Sequence, residues 1–522
     1  MATTERPQID NGKGLLVSSG IVSSMTLVSR VLGLIRDMLI AYLFGAGPAA
    51  EAFVVAFRIP NLFRRLFAEG AFSQAFVPVL SEYKTLKSHA EVRGLVDRVA
   101  GNLGVILLVV TVLAVAGSPV VAAIFAPGFI FKEQWDEFRL THEMLRITFP
   151  YLMLISLTAL SGAILNSYQR FAVPAFTPVF LNLSLILCAL YLRPYLQEPI
   201  FALAWAVLIA GVLQLSFQLP FLARIQLLPR PKVDRHHDGV KKILALMLPA
   251  LFAVSVGQIS LLLDTMLASF LETGSIPWLY YSDRLLELPL ALFGIAIATV
   301  ILPNLSASHV TKSSDEFART LDWAIRMVCL VGIPATAALI YLAEPMIITI
   351  FYGGDFAERD VWMASISLKA YATGLLGWML VKVLAPGYFA RQDTKTPMKI
   401  AVVALVANMV FNLILVYPLA HTGLALATSI SAFINAGLLF AGLYRLKVYQ
   451  RSRGWLLFGL RILLANLVML GLLAWLNESV EAWLAWDFWI RMGYLLMMCA
   501  AGAGTYLLVL LLTGFRIQDI RR

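Results

Sequence analysis

The sequence predicts an all-α polytopic membrane protein with about fourteen transmembrane helices. They form two six-helix lobes related by a pseudo-two-fold axis along the membrane normal, plus two C-terminal helices. Three observations predict this. Of 522 residues, 60% are apolar and only 14% are charged, with a mean hydropathy of +0.81, more apolar surface than water could cover. Basic residues are alternately many and few from one connection to the next. Short segments of the first half recur in the second at a nearly constant spacing.

A span needs about 20 mostly apolar residues. Such segments fall near 15–43, 50–80, 99–125, 140–167, 173–192, 199–223, 243–271, 277–308, 322–351, 362–389, 397–417, 421–444, 455–476 and 488–514. The polar start runs only to Lys13 and Arg30 interrupts the first apolar run, so a cleavable signal peptide is not expected. Gly33, Pro60, Pro150, Pro289 and Pro334 lie inside spans, where neighbouring helices satisfy the freed backbone.

An even number of spans puts both termini on one side. The termini and every second connection, among them Lys84–Arg98, Arg224–Lys242, Arg391–Lys399 and Arg445–Arg453, carry about 25 Lys and Arg. The alternate connections carry about five: Lys132, Arg139, Arg193, Arg359 and Arg491. The rich set, with both termini, is therefore expected in the cytoplasm. The net charge of +10 reflects this bias and contact with anionic membrane lipids; no nucleic-acid partner is expected. Cys188, Cys329 and Cys499 are scattered in apolar runs and match no disulfide or zinc spacing. The longest connection, 224–242 with His236 and His237, reads as a solvated basic linker near headgroups rather than a metal site.

The repeat runs through the chain in order. Asp37 to Gly47 resembles Asp264 to Gly274 at an offset of 227, and Arg58 falls against Arg284 at 226. Val77-Pro78 matches Leu302-Pro303 at 225, and Leu203-Ala204 matches Leu426-Ala427 at 223. The expected organisation is a lobe at 15–223, a basic cytoplasmic linker at 224–242, a second lobe at 243–446 and a helix pair at 455–514. Parallel repeats of six spans are the organisation of transporters that rock two lobes about a central site.

Several charges lie inside spans. Span 1 carries Arg30, Arg36 and Asp37, and span 2 carries Arg58, Arg64, Arg65 and Glu69. Span 7 carries Asp264, span 8 carries Asp283, Arg284 and Glu287, and span 10 carries Lys382. Each arginine facing lipid at mid-bilayer would cost roughly 2.5–3.5 kcal/mol, so they are expected to face water or partners. Arg65–Glu69 and Arg284–Glu287 are spaced for local pairing, and Arg30 and Asp37 share a helical face. The arginines still exceed the acids in spans 1 and 2, and a surplus of planar cations suits a phosphate-bearing polyanion.

At these residues the sequence resembles a known family. Ser23-Ser-Met-Thr-Leu-Val-Ser-Arg30-Val-Leu-Gly33-Leu-Ile-Arg36-Asp37 and the stretch Phe57-Arg58-Ile-Pro60 through Val77-Pro78 resemble the MurJ (MviN) lipid II flippases of the MOP exporter superfamily. Tyr280-Tyr-Ser-Asp283-Arg284 and Lys382 through Pro397 are similar to further motifs of that family. The resemblance implies a bacterial inner-membrane protein whose lobes enclose a V-shaped cavity. It implies transport of the undecaprenyl-diphosphate-linked peptidoglycan precursor, lipid II, from the cytoplasmic to the periplasmic leaflet for cell-wall synthesis. Lipid II, membrane lipids and other cell-wall synthesis proteins are then the partners. Essential cavity arginines of the family fall on Arg30, Arg36, Arg64 and Arg284, with Asp37, Glu51, Arg58, Arg65, Glu69, Asp283, Glu287 and Lys382 as supporting charges. The last two helices are expected to hold the lipid tail.

No organic cofactor is expected; a sodium ion or the membrane potential are the two couplings left open. Some members of the family hold sodium on helices 7, 11 and 12, and Asp264, Asn408, Asn412 and Thr428 fall at similar spacing. Asn412 stands where a carboxylate is expected, and interhelical hydrogen bonding explains the same set equally. An exporter of another lipid-diphosphate oligosaccharide, or a MATE-like exporter, is the alternative transporter. An integral-membrane enzyme is not expected, because no Asp-rich metal motif and no His–Asp pair near one membrane face is present.

Overall fold

The computed structural model describes residues 11–65, 72–291, 301, 305, 314–449 and 454–516. Helices follow one another along the whole described chain, with no strand among the described residues. In order they are α1 Asn11–Phe44, α2 Pro48–Phe63, α3 Phe72–Leu86, α4 His89–Ala116, α5 Ser118–Phe125, α6 Pro127–Phe131 and α7 Trp135–Thr148. Then come α8 Pro150–Ser167, α9 Ala172–Phe176, α10 Pro178–Leu187, α11 Phe201–Arg224, α12 Asp238–Ser269 and α13 Ser275–Pro289. The remainder are α14 Ser314–Tyr341, α15 Ala343–Phe351, α16 Glu358–Thr373, α17 Leu375–Phe389, α18 Lys395–Arg445, α19 Trp455–Leu476, α20 Val480–Ala485 and α21 Phe488–Leu512. Nine helical stretches among the described residues are long and apolar enough to cross a membrane. The protein is a multi-pass membrane protein.

Local sequence chemistry sets many of these limits. Pro127, Pro150 and Pro178 each open a helix, where the missing N–H is not needed. Ser88 and Glu91 form a capping box at the start of α4, the Ser88 N–H donating to Glu91 at 3.0 Å. Spans expected at 397–417 and 421–444 are continuous as α18, but Ala420 at φ 48°, ψ −130° breaks it into two helices.

The chain divides into two compact units, one of Met1–Leu43 and Ala52–Gln258, the other of Phe44–Glu51 and Ile259–Arg522. In the first, Phe72, Phe76, Leu80, Leu95, Val96, Ile164, Leu165 and Leu222 form an apolar core. Leu227, Val240 and Ile243, from the connection and the start of α12, are buried in the same core. The connection keeps most of its side chains exposed, as its charge suggests, while its backbone is tethered to α4. The Asp97 side chain accepts from Arg230 N–H at 2.7 Å, and Lys232 N–H donates to the Asp97 carbonyl at 3.0 Å. Arg98 pairs with Asp234 at 3.0 Å, and the Asn102 amide donates to the Asp234 carbonyl at 2.9 Å. Polar groups on α4 thus capture a backbone that carries too few apolar residues to dock by itself. The hydrogen bond from Arg98 holds the Asp234 carboxyl below the usual aspartate range.

Repetition is written into the backbone of both units. Gln169 and Gln392, 223 residues apart, adopt φ 59° and 61° just past α8 and α17. Each is followed by the same closing bond, Arg170 N–H to Leu165 O at 2.9 Å and Asp393 N–H to Tyr388 O at 3.1 Å. Gln226 and Lys447, 221 apart, repeat the pattern with φ 59° and 54° past α11 and α18. A side chain other than glycine in this region is disfavoured by roughly 1 kcal/mol, so four such ends mark a shared backbone plan.

In the second unit a buried ion pair joins Asp322 to Arg326 at 3.0 Å. Asp322 also accepts from Tyr449 at 2.7 Å and from the Trp455 indole at 2.8 Å, which ties α14 to the start of α19. Arg491 donates to the carbonyls of Trp486, Leu484, Ile348 and Tyr352, satisfying the ends of α15 and α20. Tyr506 on α21 donates to Leu330 O at 2.8 Å.

A Cβ at Gly101 would collide with the Lys232 carbonyl, so glycine is what lets the connection lie against α4. Gly101→Ala should raise amide hydrogen exchange across 229–235 while α8 and α11 keep their protection; unchanged exchange there would count against docking. Because the folded pKa of Asp234 is lowered, its tether holds above the ordinary aspartate range. It should loosen only as pH falls through about 4 and below.

Candidate functional site

The charges within the apolar helices fall into three situations. The first is full internal pairing. Arg36 on α1 is 7% exposed and Asp37 is 3% exposed. Arg36 Nε and Nη2 donate to Asp37 Oδ1 at 2.9 and 2.7 Å, and Nη1 donates to Asn182 Oδ1 on α10 at 2.9 Å. The Asn182 amide donates onward to the Ser29 carbonyl at 2.8 Å. Asp37 thus pairs with its neighbour Arg36 rather than with Arg30, the partner that helical spacing suggests. Burial decides this, because a carboxylate beside a buried guanidinium in low dielectric outweighs a contact to an exposed one.

Glu51 is the second buried case. It is 1% exposed, and its carboxylate accepts from Gly274 N–H at 3.1 Å and Ile276 N–H at 3.4 Å. Gly274 at φ 102° is the residue before α13, so Glu51 answers the positive, unsatisfied start of the helix that carries Arg284. The Tyr281 hydroxyl of that helix donates to the Gly45 carbonyl at 3.4 Å, and the Trp278 indole donates to Asp360 at 2.8 Å. Expected as a supporting cavity charge, Glu51 has its carboxylate taken up in capping a helix.

A second group is partly covered. Arg284 pairs with Glu287 at 3.0 Å, as its spacing suggests, and lies 4.9 Å over the Tyr280 ring. Asp283 is half-buried beside it and is also partnered. Arg64 on the turn continuing α2 is half-buried and donates to Asn61 at 3.2 Å. Arg58 is half-buried and partnered, and Arg65 is half-buried. Glu69, the expected partner of Arg65, lies outside the described residues.

The third situation is exposure within an apolar helix. Arg30 on α1 and Lys382 on α17 are exposed and make no hydrogen bond or ion pair to another described residue. Cations in this setting must meet water or a bound anion.

Asp264, Asn408, Asn412 and Thr428 do come together. The Asn412 amide donates to Asp264 Oδ1 at 2.6 Å, and the Thr428 hydroxyl lies 3.4 Å from Asp264 Oδ2. The Asn408 amide donates to Thr428 at 3.3 Å, and Ser260 donates to Asn408 Oδ1 at 2.9 Å. Asn412 is fully buried and its Oδ1 has no hydrogen-bond partner among the described residues. No group of three or more His, Cys, Asp or Glu suited to a metal occurs among the described residues.

Sequence reasoning did not single out Asn182 or Ser260. Asn182 lies 146 residues from Arg36, beyond any local spacing rule. Its one signal is an amide inside the Pro178–Leu187 run, where Ser184 is the other polar residue.

Removing the Glu51 carboxylate tests its capping role. Glu51→Ala leaves buried N–H groups at the start of α13 unanswered and should lower unfolding stability by about 1–3 kcal/mol. Glu51→Gln should lose less; equal losses would point to packing instead.

Comparison with known proteins identifies the family. Residues 40–493 match the family model of the lipid II flippase MurJ. A probable lipid II flippase MurJ of Vibrio cholerae is 51% identical over 98% of this chain and 99% of its own. The lipid II flippase MurJ of Burkholderia cenocepacia is 45% identical over 87% of this chain and 88% of its own. Among solved structures, a lipid II flippase MurJ in an inward closed conformation aligns with TM-score 0.78 and 26% identity, over 96% of this chain and 99% of that one. A MATE-family multidrug transporter of the MOP superfamily shares the fold at TM-score 0.68 and 14% identity, over 82% of this chain and 97% of that one. With its all-helical membrane fold, its arginine-bearing helices and this near full-length match, the chain belongs to the lipid II flippase MurJ family.

Proposed function

We propose that this protein moves lipid II from the cytoplasmic to the periplasmic leaflet by alternating access, without covalent chemistry, with both termini in the cytoplasm. The observation that carries the reading is near full-length identity to MurJ relatives, joined to a surplus of cations inside apolar helices. A diphosphate requires cations that can exchange their present partners. Arg30 has no polar partner among the described residues, and the Glu287 carboxylate that pairs with Arg284 is 42% exposed. Arg30, Arg64 and Arg284, with Arg36 on release from Asp37 and Asn182, are the groups proposed to take the diphosphate and the acidic groups of the headgroup, with planar guanidinium forks matched to phosphate. For the polyprenyl tail, the second unit offers an apolar cavity of about 580 Å³ bordered by Cys329, Leu384, Phe433, Phe440 and Trp455.

Arg284→Ala as the sole copy should reduce the arrival of lipid II at the outer leaflet by at least about tenfold at normal abundance, since two charge-assisted bonds are lost. Full growth of that strain, with normal leaflet accessibility of lipid II, would overturn the assignment. Depletion should accumulate lipid II itself; accumulation of a different lipid-diphosphate oligosaccharide would transfer the reading to that substrate.

A second element of the proposal is a monovalent cation held by Asp264, Asn408, Asn412 and Thr428. The donor set is all oxygen, which suits a hard cation, and the unpartnered Asn412 Oδ1 is an oxygen in need of one. When bound, the cation would compensate the Asp264 charge within the membrane. Sodium should raise the melting temperature of the wild-type protein relative to choline, and Asp264→Asn should remove that rise. A sodium response that survives in Asp264→Asn would rule this site out and leave the membrane potential as the coupling.

A further inference from the structure

The ends of α8 and α11 meet at a second cavity, of about 350 Å³ and wholly within the first unit. Arg170, Phe171 and Val173 line it from the turn after α8, and Phe221, Arg224 and Ile225 from the end of α11. Both helices belong to stretches long and apolar enough to cross a membrane, so the cavity stands where the chain leaves hydrocarbon. Thr177 fixes the frame. Its hydroxyl accepts from Gln218 at 2.9 Å and its carbonyl from Gln214 at 3.3 Å, which pins α11 to the joint between α9 and α10.

The charge here is one-sided. Arg170 and Arg224 are exposed, and neither forms an ion pair with another described residue. Between Pro150 and Val233 the only acid is Glu198, which is taken by Arg139 at 3.1 Å. The Arg224 guanidinium lies 5.5 Å over the Phe221 ring, a stacking that leaves its in-plane N–H groups for an acceptor. The turn itself does not require a cation. In the second unit Asp393 makes the closing bond that Arg170 makes here, and its side chain accepts from Thr396 N–H at 3.0 Å.

An apolar track leads away from the two arginines into the span. From Phe221 the rings continue to Phe217 at 5.5 Å, and from Phe217 to Phe180 at 5.0 Å and Phe176 at 5.7 Å. All four are only partly buried, so the ladder presents an apolar face. Paired guanidiniums at a membrane boundary suit a phosphate group. The ladder beneath them suits acyl chains, which a free phosphate would leave unused.

We propose that this cavity binds one anionic phospholipid, with its phosphodiester between Arg170 and Arg224 and an acyl chain along the Phe221, Phe217 and Phe180 rings. The site needs none of Arg30, Arg64 or Arg284, so it stands apart from the transport reading. A lipid bound there bridges the turn after α8 to the end of α11 and supplies the negative charge that this part of the chain lacks.

Hydrogen exchange of the full-length protein in nanodiscs reads the site locally. With phosphatidylglycerol mixed into phosphatidylcholine, amides across 167–173 and 222–227 should exchange at least about threefold more slowly than in phosphatidylcholine alone. Arg170→Asp, which copies the turn of the second unit, should lose most of that protection, and so should Arg224→Gln. Arg235→Gln removes a cation of the neighbouring connection and should keep it. Equal exchange of the wild-type protein in the two lipids would overturn the proposal. An equal loss in Arg235→Gln would do the same, by reducing the effect to diffuse surface charge. Glycerol phosphate added to phosphatidylcholine nanodiscs should not protect these amides; if it does, the ligand is a phosphate group alone and the phospholipid assignment falls. Protection by an added polyprenyl diphosphate, with none from phosphatidylglycerol, would hand the cavity to the transported lipid and also overturn it. Should Arg224→Gln fail to fold, Arg170→Asp decides the matter.

Discussion

Hydrocarbon supplies no hydrogen bonds, so each ionised or backbone polar group that enters it has to find its partner inside the protein. The details of this structure follow from that constraint. Arg36 finds Asp37 and Asn182, Asp322 finds Arg326, Tyr449 and Trp455, and Glu51 finds the open start of α13. None of these contacts needs to add much net stability, because desolvation offsets most of the attraction. Their effect is on uniqueness, since a helix carrying a buried charge fits only where its partner waits. Arg30 differs from these in being exposed and without such a partner among the described residues.

How much of this is legible in the sequence depends on how far apart the partners lie. Spans, helix starts at proline and the Arg284–Glu287 pair rest on composition and on three- or four-residue spacing, and each can be read from the chain. Arg36 illustrates the limit. Its neighbour Asp37 looks unavailable because adjacent side chains diverge around a helix, and Asn182 lies on another helix altogether. Glu51 reads as one more membrane charge because its partners are backbone N–H groups, which have no letter in the sequence. The docked connection is hidden for the same reason: α4 holds it largely through its main chain.

The long-period repeat is legible as a weak pattern of identities, and in three dimensions its firmest trace is not a side-chain match. Gln169, Gln392, Gln226 and Lys447 share a left-handed conformation and the same closing bond, although one of the four is a different residue type. Backbone geometry at helix ends has outlasted the side chains around it.

The two C-terminal helices look in the sequence like an addition to a twelve-helix protein. Their bonding says otherwise. Trp455 is a ligand of the buried Asp322 carboxylate, Arg491 closes the ends of α15 and α20, and Tyr506 occupies the Leu330 carbonyl. A lineage that lost this hairpin would uncover a buried acid and several carbonyls at once. Removing the pair would therefore break several buried contacts together, so the extension is bonded into the architecture rather than appended to it.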